Sequence, residues 1–424
     1  MSYRFQKFTT VYPTFLRQFL DDNPGYEGLS YQELYDRLVA TRYAWANYFA
    51  KYLRALGHEA QDLFASVEPL QKAWARENGV AYGEESWLYD IVLAQVKAFR
   101  PDVLYLQDLY LFDRDFRRRA REVCGEDVLI IGWRAAPTED FGAFNDLDAI
   151  LTAVPGFVET LRRHGANAVL LPLAFEDSTL EDVRPPAERD LDFTFVGSVG
   201  ARDGYHSERY ALIEKLLRST PLRVWGEAED GRPRPRKQRL LDEVSYGANR
   251  VLRGAGAPES LRARVPLVRR GATWKDGPPP LPLSQRHPGR FHEPVFGLDY
   301  FRVLARTKVS LNLHIDCVGD NAGNMRMYEA TGMGTCLLTD WKTNLPDLFE
   351  PDVEVVTYRS PEECIEKALY LLGHEEERRA IAAAGQRRTL RHYTYARRAE
   401  QLDEIIHGLR ANRRPAATLH PGLV

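Results

Sequence analysis

Residues 309–340 read VSLNLHIDCVGDNAGNMRMYEATGMGTCLLTD, and their pattern decides the fold. VSLNLHID is an apolar run that turns polar only towards its end, as a strand buried on both faces does. A polar, glycine-bearing turn at residues 321–326 runs into a segment that begins like a helix. Gly332 and Gly334 punctuate its end, and the short apolar run CLLTD closes on Asp340. Strand, turn, helix and strand in this order make a βαβ unit, which implies a parallel sheet.

The same rhythm extends in both directions. PDVLYLQD (101–108), DVLIIGW (127–133), DAILTAV (148–154) and AVLLPLAFE (168–176) are apolar strands separated by helical patterns. STLEDVRPPAERD (178–190) is acidic and proline-bearing, and reads as a linker. LDFTFVGSVG (191–200) and PLRVWGE (221–227) restart the pattern, and EVVTYR (354–359) continues it among helices. LSYQELYDRLVATRYAWANYFAKYLRALGHEA (29–60) reads as one long helix, with a Ser30–Glu33 capping box and Gly57 at the C-terminal cap. Residues 226–292 break the rhythm with GRPRPRKQR and GPPPLPLSQRHPGR and read as an irregular insertion. The expectation is a doubly wound α/β protein of two domains, 1–185 and 186–405, with a tail at 406–424.

A chain of 424 residues exceeds the size at which one core keeps growing, which also favours two domains. A net charge of −3 gives no reason to expect a nucleic-acid partner, and GRPRPRKQR lacks interleaved aromatics. Cys124, Cys317, Cys336 and Cys364 show no C-x-x-C spacing, against structural zinc or a disulfide framework. The first residues lack the apolar core of a signal peptide, and no run approaches a spanning helix. A soluble cytoplasmic protein without metal is expected.

Ligands of open α/β sheets bind beyond the carboxyl ends of the strands, so polar residues there are the candidates. In the opening stretch, Asn324 and Met325 stand at the helix start, where backbone N–H groups and the dipole favour a phosphate. Arg326 suits the same anion, and Glu329, one turn on, suits a vicinal diol. The plainer alternative is that Glu329 complements the helix dipole and Arg326 pairs on the surface. Gly197 and Ser198 follow another strand, as turn residues or as a second phosphate contact. Phe296 and Gly297 precede a helix and suit a nucleobase or core packing. His314 and Asp316 end a strand where side chains face a cleft, His314 as a catalytic candidate or as a histidine hydrogen-bonded within the structure. Asp108 is the best-placed carboxylate for a general base, with helix capping as its alternative.

Taken together, FGLDYFRVLARTKVSLNLH, the N-M-R-x-Y-E turn, G-x-x-L-L-x-D and RRTLRHYTYARRAEQL resemble the C-terminal domain of CgeB-like (spore-maturation-protein type) glycosyltransferases, over about residues 290–405. The resemblance implies the GT-B arrangement of two Rossmann-like domains. It implies Leloir-type transfer from a nucleoside diphosphate sugar to a hydroxyl acceptor: a glycan, a lipid-linked molecule or a small molecule. It places Glu329 on the donor ribose, Arg326 on the diphosphate with Gly197 and Ser198 beside it, and Phe296 and Gly297 along the base. It implies no metal and no cofactor beyond the donor substrate. Related retaining enzymes carry a Glu eight positions before the ribose Glu, where this chain has Asn321. A nucleotide-sugar epimerase and a non-catalytic nucleotide-sugar-binding protein are the alternatives on the same fold.

Overall fold

The computed structural model describes residues 2–136, 138, 140–202, 206–231, 233–266, 268–272, 274, 277–278, 280–315 and 318–413. Six strands form a first sheet: β1 Arg4–Thr9, β2 Glu59–Phe64, β3 Val103–Leu106, β4 Leu129–Trp133, β5 Ala149–Thr152 and β6 Ala168–Leu170. Their order is β2-β1-β3-β4-β5-β6, with parallel registers throughout. A second sheet has β7 Leu191–Val196, β8 Leu222–Trp225, β9 Phe291–His292, β10 Thr307–Asn312, β11 Cys336–Asp340 and β12 Val356–Tyr358. Its order is β12-β11-β10-β7-β8-β9. The chain winds outward from β7 in one direction and from β10 in the other, so the strand order reverses between them, the point where doubly wound sheets bind ligands.

By contact density, residues up to Thr194 together with those from Val295 form one compact unit, and Phe195–Pro294 form a second. In the first, the apolar runs become strands because both faces are covered: all four residues of β3 and all five of β11 are buried. The final helix, Tyr395–Arg413, lays Tyr395, Ala399, Leu402 and Ile406 into the core of the first sheet, beside Tyr3, Phe5 and Phe49. Among the described residues, no helix is long and apolar enough to cross a membrane.

Three features differ from the sequence reading. Strand β1 was hidden by its polar residues. Lys7 is fully buried with its Nζ 3.9 Å from Oδ1 of equally buried Asp62, and 5.1 Å from the Trp45 ring. Burial pushes Lys7 down and Asp62 up, and their attraction only partly offsets this.

The long helix at 29–60 is two helices, Tyr31–Ala40 and Tyr48–Ala55. Between them Arg42, Ala44 and Ala46 take positive φ (58, 51 and 33°). Helical spacing yields there to packing: Tyr43 stacks on Phe15 at 3.7 Å, and Trp45 meets Trp133 edge-on at 4.8 Å. The capping box at Ser30 and the left-handed Gly57 (φ 91°) are both present.

The segment at 226–292 is not wholly irregular. Past Pro235 lies a proline-free stretch that forms a 19-residue helix, Arg236–Gly254.

Candidate functional site

The site is built on the carboxyl end of β10. Asn312, fully buried, gives its Nδ2–H to Thr339 Oγ1 (3.0 Å) and receives the Tyr358 hydroxyl on its carbonyl (3.1 Å). Its Oδ1 accepts from Asn324 Nδ2 (2.8 Å) and Arg326 Nη1 (3.2 Å). One strand-end side chain therefore fixes both the N-cap and the cation of the helix Met325–Gly332. Asn324 caps that helix by accepting from Met327 N–H (3.4 Å), and Met325 packs against the core of the first sheet.

His314, only 3% exposed, braces the turn. Its Nδ1 lies 2.7 Å from Asp340 Oδ1, and its Nε2 lies 3.3 Å from the Gly323 nitrogen. The carboxylate accepts and the amide donates, so the proton sits on Nδ1. Burial alone would raise the Asp340 carboxyl, but the His314 bonds and Lys342 at 3.4 Å hold it below the usual range. Asp316 lies outside the described residues.

Glu329 faces Tyr300, whose hydroxyl donates to Oε2 at 2.8 Å. Burial pushes the Glu329 carboxyl up to about 7, against the opposing pull of that hydroxyl and of Arg326. Tyr300 belongs to the helix Gly297–Arg306, so that helix and the Met325–Gly332 helix are joined at this carboxylate. Phe296 caps the start of the former and meets Phe15 and Tyr43 edge-on, each at 5.8 Å. Gly297 has φ 55°, and a Cβ there would lie 2.1 Å from the Thr41 carbonyl, which accepts from Leu298 N–H.

The turn also touches the end of β5. Gly156 N–H donates to Asn321 Oδ1 (3.3 Å), which satisfies an otherwise open amide at the start of the helix Pro155–Arg163. Gly323 (φ 156°) sits where a Cβ would lie 2.5 Å from the Ala153 carbonyl. Asn321 thus binds the ends of the two sheets together. Gly332 and Gly334 serve packing: a Cβ on Gly332 would strike the Phe175 ring at 2.4 Å, and Gly334 (φ 66°) lies against Gln386.

The other expected residues are held by bonds at their own turns. Asp108 Oδ1 accepts from Tyr110 N–H (3.1 Å) and Leu111 N–H (3.0 Å), closing the turn after β3. Gly197 and Ser198 lie in the second compact unit. There Gly197 N–H donates to Trp225, Gly226 has no room for a Cβ against the Gly197 carbonyl, and Ser198 accepts from Arg209 at 3.1 Å.

Sequence reasoning missed Asn312, Tyr300 and Asp340. Asn312 and Asp340 carried a signal, a polar residue closing an apolar strand. Tyr300 carried none, because its partner is 29 residues away.

A His58, Asp403 and His407 cluster lies elsewhere. Tyr3 N–H donates to His58 Nδ1 (3.3 Å), so the His58 proton sits on Nε2 and points at Asp403 Oδ1 (3.0 Å). With that nitrogen protonated, the trio is a hydrogen-bonded clamp on the last helix and not a ligand set.

Residues 209–404 match a family model described as Glycosyl transferase-like. No curated protein matches the sequence. Among solved structures, HepE of Anabaena in complex with UDP and glucose aligns with TM-score 0.53 and 10% identity, over 96% of this chain and 100% of its own. A glycosyltransferase from Rickettsia africae aligns with TM-score 0.52 and 8% identity, over 96% and 98%. Sucrose-phosphate synthase of Thermosynechococcus elongatus aligns with TM-score 0.51 and 12% identity, over 96% and 99%. At such identities the likeness is one of fold. The chain has the two parallel α/β sheets of the GT-B arrangement, and its residues 209–404 are glycosyl transferase-like.

Proposed function

We propose that this chain is a Leloir-type, metal-independent glycosyltransferase that moves a sugar from a nucleoside diphosphate donor to a hydroxyl acceptor. The observation that carries this reading is the pairing on one short helix of Arg326, anchored to Asn312, with Glu329, held by Tyr300. That helix opens at the carboxyl end of β10 inside the segment matched as glycosyl transferase-like.

In this reading the start of the helix and Arg326 receive the diphosphate and stabilise it as it leaves. Glu329 accepts the two ribose hydroxyls, with Tyr300 keeping its carboxyl turned towards them. Phe296 and Gly297 border the base. Gly197 and Ser198 are assigned to the diphosphate by resemblance alone. His314 positions the turn through Gly323, and Asp108 is the proposed base on the acceptor side. The functional division follows residues 1–185 for the acceptor and 186–405 for the donor. The N-M-R-x-Y-E turn supports the CgeB-like subtype. Cys124, Cys336 and Cys364 are free thiols, which fits a reducing cytoplasm.

The test is a panel of UDP, GDP and dTDP sugars, assayed with EDTA present throughout, with and without hydroxyl acceptors. Transfer that depends on acceptor supports the reading. Donor conversion without acceptor would replace it with epimerisation, and binding without turnover would replace it with a sensor.

A further inference from the structure

The helix Arg236–Gly254 is built inside out. Its buried residues are Asp242, Ser245 and Asn249, which share one face at helical spacing. That polar face is fully engaged within the second compact unit. Asp242 holds Arg234 (3.0 Å) and Arg270 (3.1 Å), Ser245 Oγ accepts the Gly271 N–H (3.0 Å), and Asn249 Nδ2 donates to the Gly271 carbonyl (2.7 Å). The opposite face carries Leu240, Val244 and Val251, which are 64%, 46% and 72% exposed, with Leu241 at its edge. Polar groups normally face water and apolar ones the protein. Here the order is reversed over a helix about 28 Å long.

The segment that carries this apolar face is strongly basic. Residues 232–270 contain eleven Lys and Arg against three Asp and Glu, in a chain whose net charge is −3. On the helix itself, exposed Arg236, Lys237 and Arg250, with the acid Glu243, flank the apolar residues at helical spacing, whereas Arg253 turns towards the polar face and exposed Arg264 and Arg269 belong to the segment packed against it. An apolar stripe flanked by cations on one helix is the composition of an element that lies in a bilayer interface. The side chains dip below the headgroups while the guanidinium and ammonium groups stay among the anionic phosphates.

We propose that the Arg236–Gly254 helix docks this protein on an anionic membrane surface, lying in the plane of the bilayer. A second copy of the chain is disfavoured as the occupant, because a two-fold contact would press two such cationic rims against each other. Nucleic acid is disfavoured because the centre of the face is aliphatic and offers no ring to stack on a base. The proposal does not rest on the catalytic reading, since it concerns binding of the protein without donor or acceptor.

The experiment is co-sedimentation of the full chain with vesicles of phosphatidylcholine alone or mixed with phosphatidylglycerol. A Leu240→Glu/Val251→Glu variant, whose altered side chains are exposed and should not disturb folding, runs in parallel, with thermal melting as the check. The expected result is binding to the anionic vesicles that weakens with salt, little binding to the neutral ones, and at least about a tenfold loss in the variant at unchanged melting temperature. Wild-type protein that stays in the supernatant, or a variant that binds equally well, would overturn the proposal. So would a wild-type dimer by light scattering that the variant splits, which would assign the face to a second copy.

Discussion

Glu329 carries the sharpest residue-scale consequences. Its carboxyl is raised to about 7, above the unfolded value of about 4.3. A group raised in the folded state favours folding below its unfolded value, and that contribution fades as pH climbs from about 4 through about 7. The Glu329→Gln variant should therefore flatten this part of the stability profile, read by chemical denaturation across pH. An ionised carboxylate is the better acceptor for two hydroxyls, so wild-type donor affinity should rise through pH 7 while that of Glu329→Gln stays level.

Asp340, bonded to His314, has the opposite sign. The Asp340 carboxyl is held low, so its contribution is whole above about pH 3.9 and is lost as pH falls through the lowered value. Removing the imidazole in His314→Ala strands Asp340 and the Gly323 amide, a loss of about 2–4 kcal/mol measured by urea unfolding. Arg326 and Glu329 stand out as candidates in the sequence because their spacing after an apolar strand is a local signal. The partners that orient them, Asn312 and Tyr300, were not, because burial and contacts at 14 and 29 residues' separation decide their roles.

At the scale of elements, two helices meet the N-terminal half through glycines that admit no side chain. Gly297 has both positive φ and the Thr41 carbonyl in the way of a Cβ, whereas Gly57 has positive φ (91°) and open space. Gly297→Ala should therefore cost about 2–4 kcal/mol, against about 1 kcal/mol for Gly57→Ala. Equal losses in urea unfolding would show that the close approach at Thr41 is unimportant.

Most elements of both sheets were legible because buried parallel strands are continuous apolar runs. The exceptions were elements whose polarity misleads. Strand β1 buries Gln6 and Lys7. The Arg236–Gly254 helix sits between proline clusters that break the strand-and-helix rhythm around it. The break at residues 41–47 is imposed by aromatic packing from Phe15 and Trp133, against a helical pattern that is locally sound.

For the whole molecule, the last helix is what closes the first sheet's core. Ending the chain after Thr394 would strip Tyr395, Ala399, Leu402 and Ile406 from that core. At about 1.5–3 kcal/mol for each large apolar side chain, the loss approaches the entire stability of an ordinary domain. The truncated protein should be insoluble or lack a cooperative melt, and a normal melt would contradict the packing described here.

In the proposed function a nucleoside diphosphate sugar is held by the short helix Met325–Gly332. Isothermal titration of UDP, GDP, dTDP and their sugars into the wild-type protein, Arg326→Ala and Glu329→Ala tests it directly. The prediction is saturable binding of at least one nucleotide series to the wild type. Loss of a charge-assisted contact should weaken it about tenfold to a hundredfold in each variant, and the Glu329→Ala loss should persist only for ligands that keep both ribose hydroxyls. Wild-type affinity in both variants, or no binding by any of the nucleotides, would contradict it.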